Sequence, residues 1–82
     1  MLKYYSYENL KEMLINNGYW YEDKDEFIEI RYNGLIIVVY YDLNIIAYTR
    51  YSEYFENIEN HSAKETFNNI VNIISNFKKG VI

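Results

Sequence analysis

The stretch that decides the fold is FIEIRYNGLIIVVY, residues 27–40. Asn33-Gly34 lies at its centre, and this pair predicts a two-residue β-hairpin turn because both central positions of a type I′ turn need positive φ. Such a turn pairs Tyr32 with Leu35 and so fixes the register of both strands. The opposed pairs are then Ile28 with Val39 and Ile30 with Ile37 on one face, and Phe27 with Tyr40, Glu29 with Val38 and Arg31 with Ile36 on the other.

Apolar side chains occupy both faces of the second strand, LIIVVYY, residues 35–41. An antiparallel strand with one wet face alternates apolar and polar residues, so something is expected to cover the second face, which carries Ile36 and Val38. Three explanations stay open. The YWY segment at 19–21 and the segment 52–60 fold over this face, or a symmetric homodimer buries it, or a different protein binds there.

A third strand is predicted at IIAYTRY, residues 45–51, after a turn at Asp42-Leu43-Asn44. Its register depends on the length of that turn, which the sequence leaves open. A two-residue turn places the even-numbered residues on the Ile37 face, and these are Ile46, Tyr48 and Arg50. A three-residue turn places the odd-numbered residues there instead, and these are Ile45, Ala47 and Thr49.

A helix is predicted on the N-terminal side of the strands. Ser6 is a suitable N-cap, apolar residues recur after it at helical spacing to about Asn17, and Gly18 favours a left-handed helix end. The aromatic residues that follow begin a possible short extra strand at residues 19–22.

Two helices are predicted on the C-terminal side. The segment SEYFENIEN, residues 52–60, carries aromatic and aliphatic residues at helical spacing and predicts a short helix. A capping box of Ser62 and Glu65 then begins a long amphipathic helix that Gly80 ends.

These elements predict an α+β fold in one compact domain, residues 1–82. The order is an N-terminal helix, a three-stranded antiparallel β-meander, a short helix and a long C-terminal helix. The two main helices are expected to pack on one face of the sheet. The chain contains no cysteine, which excludes disulfides and thiolate metal sites.

The composition argues against catalysis. The chain has one histidine and three glycines, and the glycines are all accounted for as turns or caps, so neither a phosphate-binding loop nor a supported catalytic base is found. We expect no enzyme activity, no metal and no cofactor. The first residues lack a signal-peptide pattern and the longest apolar run is too short to cross a membrane, which predicts a cytoplasmic protein.

The charge is concentrated in two short acidic segments. The net charge is −4, while EDKDEFIE at 22–29 carries five acids and EYFENIE at 53–59 carries three. One explanation is a solvated surface that keeps a small protein soluble. The other is a surface complementary to a basic partner, which would accelerate association. The candidate partner-binding acids are Glu22, Asp23, Asp25, Glu26, Glu53, Glu56 and Glu59.

Small size, these two acidic segments and the 11 tyrosines resemble the small acidic inhibitor proteins of phages and mobile elements, including anti-CRISPR proteins and DNA mimics. The resemblance implies a non-enzymatic inhibitor that binds the basic surface of a nucleic-acid-processing defence complex, in the host cytoplasm if phage-encoded. It carries over no individual residue. The tyrosine and asparagine content is also typical of a genome with low GC content.

Two other functions remain open. One is a homodimeric structural or interaction module that uses the exposed sheet face. The other is a nucleic-acid-binding domain, since helix, three strands and helix is the order of double-stranded RNA-binding domains, although the negative charge has the wrong sign for phosphate binding. The candidate residues for binding a partner or a second copy are Phe27, Arg31, Ile36, Val38, Tyr40 and Tyr54.

Overall fold

The structure is a computed structural model that describes residues 2–50 and 55–80. Within these residues it is α+β, with two helices and a five-stranded antiparallel sheet in the order β1-β2-β3-β4-β5. The three-stranded meander predicted from the sequence, with its possible extra strand, therefore understates the number of strands. The elements are α1 (Leu2–Asn16), β1 (Glu22–Asp23), β2 (Phe27–Tyr32), β3 (Leu35–Tyr40), β4 (Ile45–Thr49), β5 (Phe55–Ile58) and α2 (Ala63–Lys78).

The central hairpin forms in the predicted register. Asn33 and Gly34 have φ of 47° and 94°, as a type I′ turn requires. Tyr32 pairs with Leu35 and Phe27 pairs with Tyr40 at the far end, and every pair between them is as predicted. Two residues of local sequence are enough to fix these twelve positions because a tight turn allows one pairing only.

The turn between β3 and β4 has the three-residue form. The Tyr40 N–H donates to the Asn44 carbonyl at 2.9 Å, and Leu43 adopts a φ of 72° with its side chain fully buried. The odd-numbered residues of β4 therefore face the core, and Ile45 and Ala47 are fully buried. Burial of Leu43 explains why the three-residue turn forms and not the two-residue turn, because the longer turn points this aliphatic side chain into the core.

The short helix predicted at 52–60 is wrong for the part that the structure describes. Residues Phe55–Ile58 form β5, which pairs with β4 so that Ile45 lies opposite Ile58. Residues 52–54 lie outside the described residues. The segment fits both the helical and the strand period. Phe55 and Ile58 lie three apart, as on a helix, while Ile58 also alternates with the polar Asn57, as on a strand. Pairing with β4 stabilises the strand.

An extra strand forms, but it is shorter than the predicted 19–22 and shares only Glu22 with it. β1 consists of Glu22–Asp23 only, with Glu22 opposite Glu29 and Asp23 opposite Ile28. Residues 19–21 lead into it without strand pairing.

Helix α1 begins at Leu2, so the prediction that Ser6 is its N-cap is wrong. The residues before Ser6 contain neither glycine nor proline, and nothing stops the helix from extending through them. The predicted end is confirmed. The Tyr19 N–H donates to the Leu14 carbonyl at 2.8 Å across Gly18, whose φ is 81°, which is the left-handed termination that favours glycine.

Helix α2 begins as predicted. The Ser62 hydroxyl accepts from the Glu65 N–H at 3.1 Å, and the Glu65 carboxylate accepts from the His61 N–H at 2.7 Å. Gly80 has a φ of 78° and follows the helix end.

Both helices pack on one face of the sheet. The core consists of residues from α1 and α2 together with alternate residues of β2, β3 and β4. Neither described helix is long and apolar enough to cross a membrane. The opposite face of the sheet has no helix on it among the described residues. The buried hydrophobic residues are Tyr7, Leu10, Leu14, Ile28, Ile30, Leu35, Ile37, Val39, Leu43, Ile45, Ala47, Ile70, Ile73 and Ile74.

Candidate functional site

The sheet face opposite the helices is the largest candidate surface, and we call it the open face. Strand residues alternate between the two faces of a sheet, so the observed register assigns the even or odd positions of each strand to it. Among the described residues it consists of Glu22, Phe27, Glu29, Arg31, Ile36, Val38, Tyr40, Ile46, Tyr48, Phe55 and Asn57.

Apolar and aromatic side chains form the middle of the open face. Val38 lies opposite Ile46, and Ile36 lies opposite Tyr48, so the two central strands present a continuous apolar band. Phe55, which is 62% exposed, lies opposite Tyr48 on the neighbouring strand. A wet face of a small sheet is expected to be polar, and this one is not.

A second aromatic pair closes one end of the band. The rings of Phe27 and Tyr40 lie 5.6 Å apart at an angle of 51°, within the range of favourable aromatic contacts. Tyr40 nevertheless remains 36% exposed. The pair therefore presents ring surface to solvent.

The charged groups at the β1–β2 side of the open face neutralise each other. Arg31 forms an ion pair with Glu29, and Lys24, which follows β1, forms one with Glu22. The hydrogen bond and charge of Lys24 lower the pKa of the Glu22 carboxyl, and those of Glu29 raise the pKa of Arg31. Two acids meet two bases, so this surface has no net charge although the chain carries −4.

No described segment of the chain folds over the open face. Tyr19 packs on the helix side instead, with its ring 5.9 Å from that of Phe67, and Tyr21 also contacts the core. Trp20 is 71% exposed. Residues 55–58 extend the sheet rather than cover it. Intramolecular cover, one of the three explanations left open by the sequence, is therefore not formed by these residues.

Three of the predicted acids gather at the β1 edge, on the helix side. Asp23 accepts from Lys11 at 3.0 Å and from the Asp25 N–H at 3.0 Å, while Lys11 also bonds Glu8 at 3.2 Å. We call Glu8, Asp23, Asp25 and Glu26 the acidic cluster. Together with Lys11, Tyr7 and Tyr41 it lines an open cavity of about 370 Å³.

The acidic cluster is internally stabilised by its one base. Partial burial lowers the pKa of Lys11, but hydrogen bonds to Asp23 and Glu8 outweigh this and raise it above the usual value. The bond to Lys11 lowers the pKa of Asp23. In the described residues no group of three or more acidic or histidine side chains is arranged to hold a metal ion.

Of the other predicted acids, Glu22 lies on the open face, and Glu56 and Glu59 lie at the β5 edge of the sheet. Glu56 is exposed on β5 and Glu59 is exposed just after it, whereas Glu53 and Tyr54 lie outside the described residues. Three strands separate β1 from β5, so the two acidic segments are on the order of 20 Å apart. They do not form one surface.

Three apolar or aromatic residues of the open face were not predicted from the sequence, namely Ile46, Tyr48 and Phe55. The register of β4 was open, and a helix was predicted where Phe55 lies. The alternation of Ile45 and Ala47 with Ile46 and Tyr48 identifies the face once the turn length is known.

Comparison with protein-family models, with curated proteins and with solved structures found no match.

Proposed function

We propose that this protein is a non-catalytic interaction module that forms a homodimer through its open face. The observation that carries the proposal is the apolar band of Ile36, Val38, Ile46 and Tyr48, which the described helices leave uncovered. A contiguous apolar surface of this kind on a small monomer marks an interaction site.

The charge of the open face favours a second copy as the occupant. Glu22 is neutralised by Lys24 and Glu29 by Arg31, so two such faces meet without like-charge repulsion although each chain carries −4. A basic partner would instead call for acids on this face. The two groups of acids that carry excess negative charge lie elsewhere, at the two edges of the sheet.

The size of the open face predicts a dimer of moderate affinity. Five strands ~4.8 Å apart, with up to six residues rising ~3.4 Å each, give a face on the order of 20 × 20 Å. Two copies then bury roughly 800 Å² in projection, below the ~1,200 Å² at which stable specific interfaces begin and within the range of weak, transient ones. We therefore expect dissociation in the micromolar range.

Molar mass measured by light scattering tests the proposal. At several hundred micromolar we expect the mass to approach twice the 10.0 kDa of the chain and to fall on dilution. Val38→Lys and, separately, Tyr48→Lys place a charge in the band and should give monomers with an unchanged circular dichroism spectrum. A monomeric wild-type protein at that concentration would overturn the proposal.

The matched control is Ile15→Lys. Ile15 is 56% exposed on α1, on the other side of the molecule, and the change also converts an exposed apolar residue to lysine. The proposal requires this variant to dimerise as the wild type does. Equal loss of dimer in all three variants would mean that added charge, and not the open face, is responsible.

A second candidate function is inhibition of a basic partner, such as a nucleic-acid-processing complex, through the acidic cluster. The observation that favours it is the concentration of Glu8, Asp23, Asp25 and Glu26 around a single base, Lys11. Retention on immobilised polylysine provides a probe. Asp25→Lys with Glu26→Lys should lower the salt concentration of elution, whereas the charge change Glu56→Lys at the far edge should have less than half that effect per residue. Equal effects per residue would assign the retention to net charge alone.

A further inference from the structure

A groove at the edge of the sheet goes beyond the proposed function, and we call it the edge groove. It has a volume of about 280 Å³ and lies where β2, α2 and the loop after α1 meet. Its main lining residues are Tyr19, Trp20, Arg31, Tyr32, Ile74 and Lys78. The volume is at the small end for ligand sites in proteins, so it suits one side chain better than a whole cofactor.

The aromatic walls of the edge groove are held in place by α2. The ring of Tyr19 contacts Phe67 edge to face at 5.9 Å, and the ring of Tyr32 contacts Phe77 in the same way at 5.9 Å. Trp20 is held by neither contact and is 71% exposed. The groove thus combines two fixed rings with one accessible indole, which is the residue type most enriched at binding hot spots.

The charged residues that line the edge groove are both cations. Arg31 is tied to Glu29, while Lys78 forms no ion pair with any residue in the described ranges and lies 5.3 Å from the centre of the Tyr32 ring. Within the described part of the chain, no acid lines the groove. In a chain of net charge −4, this is a local site that attracts an anionic group.

The backbone of β2 is open for pairing beside the edge groove. β1 pairs with β2 only as far as Glu29, so the last part of β2 is an edge. Tyr32 pairs with Leu35 across the two-residue turn, and alternation then directs the N–H and C=O of Arg31 away from β3. An edge with outward N–H and C=O groups is a template for an added strand.

We infer that the edge groove binds an extended peptide segment in which an aromatic residue and an acidic residue lie two apart. The segment adds to β2 by exchanging backbone hydrogen bonds with Arg31. Its aromatic ring fills the space between Trp20 and Tyr32, and its carboxylate lies against Lys78. Side chains two apart share one face of a strand, so the ring and the carboxylate both reach the groove. This is the β-addition mode of peptide recognition.

Fluorescence of Trp20, the only tryptophan of the chain, tests the inference directly. The probe is the blocked peptide acetyl-Thr-Phe-Thr-Glu-amide. Titration should shift the emission to shorter wavelength as the indole is covered. The same peptide with Gln in place of Glu should bind about threefold more weakly, as expected for an exposed ion pair. Absence of any emission change at millimolar peptide would overturn the inference.

Lys78→Gln should remove the preference for the Glu peptide over the Gln peptide. Lys64→Gln, the same change at an exposed position at the other end of α2, should retain it. A preference that survives Lys78→Gln, or that both variants lose equally, would contradict the role of Lys78.

Methylation of each peptide amide nitrogen in turn tests strand addition. One position should lose binding because its N–H pairs with the Arg31 carbonyl, and its neighbours should tolerate the change because their N–H groups point away. Equal tolerance at every position, or phenylacetate binding as tightly as the peptide, would show that the groove takes a small anion and not a strand. Measured at low micromolar protein, where the proposed dimer dissociates, these outcomes do not depend on the open face.

Discussion

Asn60 links three elements that are distant in the chain. It is fully buried, its amide N–H donates to the Leu43 carbonyl at 2.8 Å, and its amide oxygen accepts from Asn69 on α2 at 2.5 Å. The β3–β4 turn, the end of β5 and α2 therefore meet at one side chain. A buried amide with its bonds made fixes geometry, since its donor and its acceptor are held at a fixed spacing.

Asn60→Ala should lower the free energy of unfolding by about 2–3 kcal/mol, because the Leu43 carbonyl and the Asn69 amide lose a buried partner. Urea denaturation provides the measurement. Asn72→Ala, at an exposed position of α2, should change stability by less than about 0.5 kcal/mol. A loss of that small size at Asn60 would mean that the link does not contribute.

Tyr7 differs from Asn60 in its hydrogen bonding. Its hydroxyl is buried without a hydrogen-bond partner among the described residues. Burial raises its pKa to about 12, although Lys11 opposes the shift. Tyr7→Phe removes the orphan hydroxyl and should raise the free energy of unfolding by about 1 kcal/mol at pH 7. Tyr41→Phe, at a position where the ring is 56% exposed, is the control and should have little effect.

The pH dependence of Tyr7 has a definite sign. Since the folded pKa lies above the ordinary value of 10.0, the neutral phenol is favoured by the fold. Its contribution is fully present below about pH 10 and is lost as the pH rises through about 12. Melting temperatures measured across this range should fall more steeply for the wild type than for Tyr7→Phe. Parallel curves would contradict the assignment.

At the scale of elements, most local signals were predictable, the Ser6 cap being the exception, and pairing between distant segments was not. Asn33-Gly34 fixed β2 and β3, and the Ser62 cap and Gly18 marked helix boundaries, because each acts through neighbouring backbone groups. β5 was missed because Phe55–Ile58 fits two periods and only contact with β4 distinguishes them. The register of β4 depends on the burial of Leu43 in the turn, and no local sequence pattern predicts that burial.

The hairpin turn offers an element-scale prediction. Gly34 has a φ of 94° and an added Cβ would meet no atom within 4 Å, so the cost of Gly34→Ala is conformational. We expect a loss of about 1–2 kcal/mol in the free energy of unfolding. Asn33→Gly keeps a residue that tolerates positive φ and should lose less than half as much. Equal losses in urea denaturation would mean that the turn type does not determine the pairing.

At the scale of the molecule, the candidate site was predictable only in part. The sequence identified Phe27, Arg31, Ile36, Val38 and Tyr40 because the hairpin register is local. It grouped the acids by their position in the chain, but the sheet order separates them onto two edges. A dimer through the open face would carry two acidic clusters, so the two candidate functions are compatible, and dimerisation would make any acidic contact bivalent.

Salt distinguishes the two surfaces. The open face is neutral and apolar, and the two chains repel through their net charge, so raising sodium chloride from 50 to 500 mM should leave the dimer dissociation constant unchanged or lower it. Sedimentation equilibrium at both concentrations measures this. Marked weakening at high salt would indicate an interface held by charge, against the proposed open-face dimer.

The most direct measurement is an isotope-filtered nuclear Overhauser experiment on a mixture of labelled and unlabelled protein. It detects only contacts between different copies. The open-face dimer predicts cross-peaks from the methyl groups of Ile36, Val38 and Ile46 to rings of Tyr40, Tyr48 or Phe55 on the other copy. Intermolecular cross-peaks confined to α1, α2 or the sheet edges would contradict it.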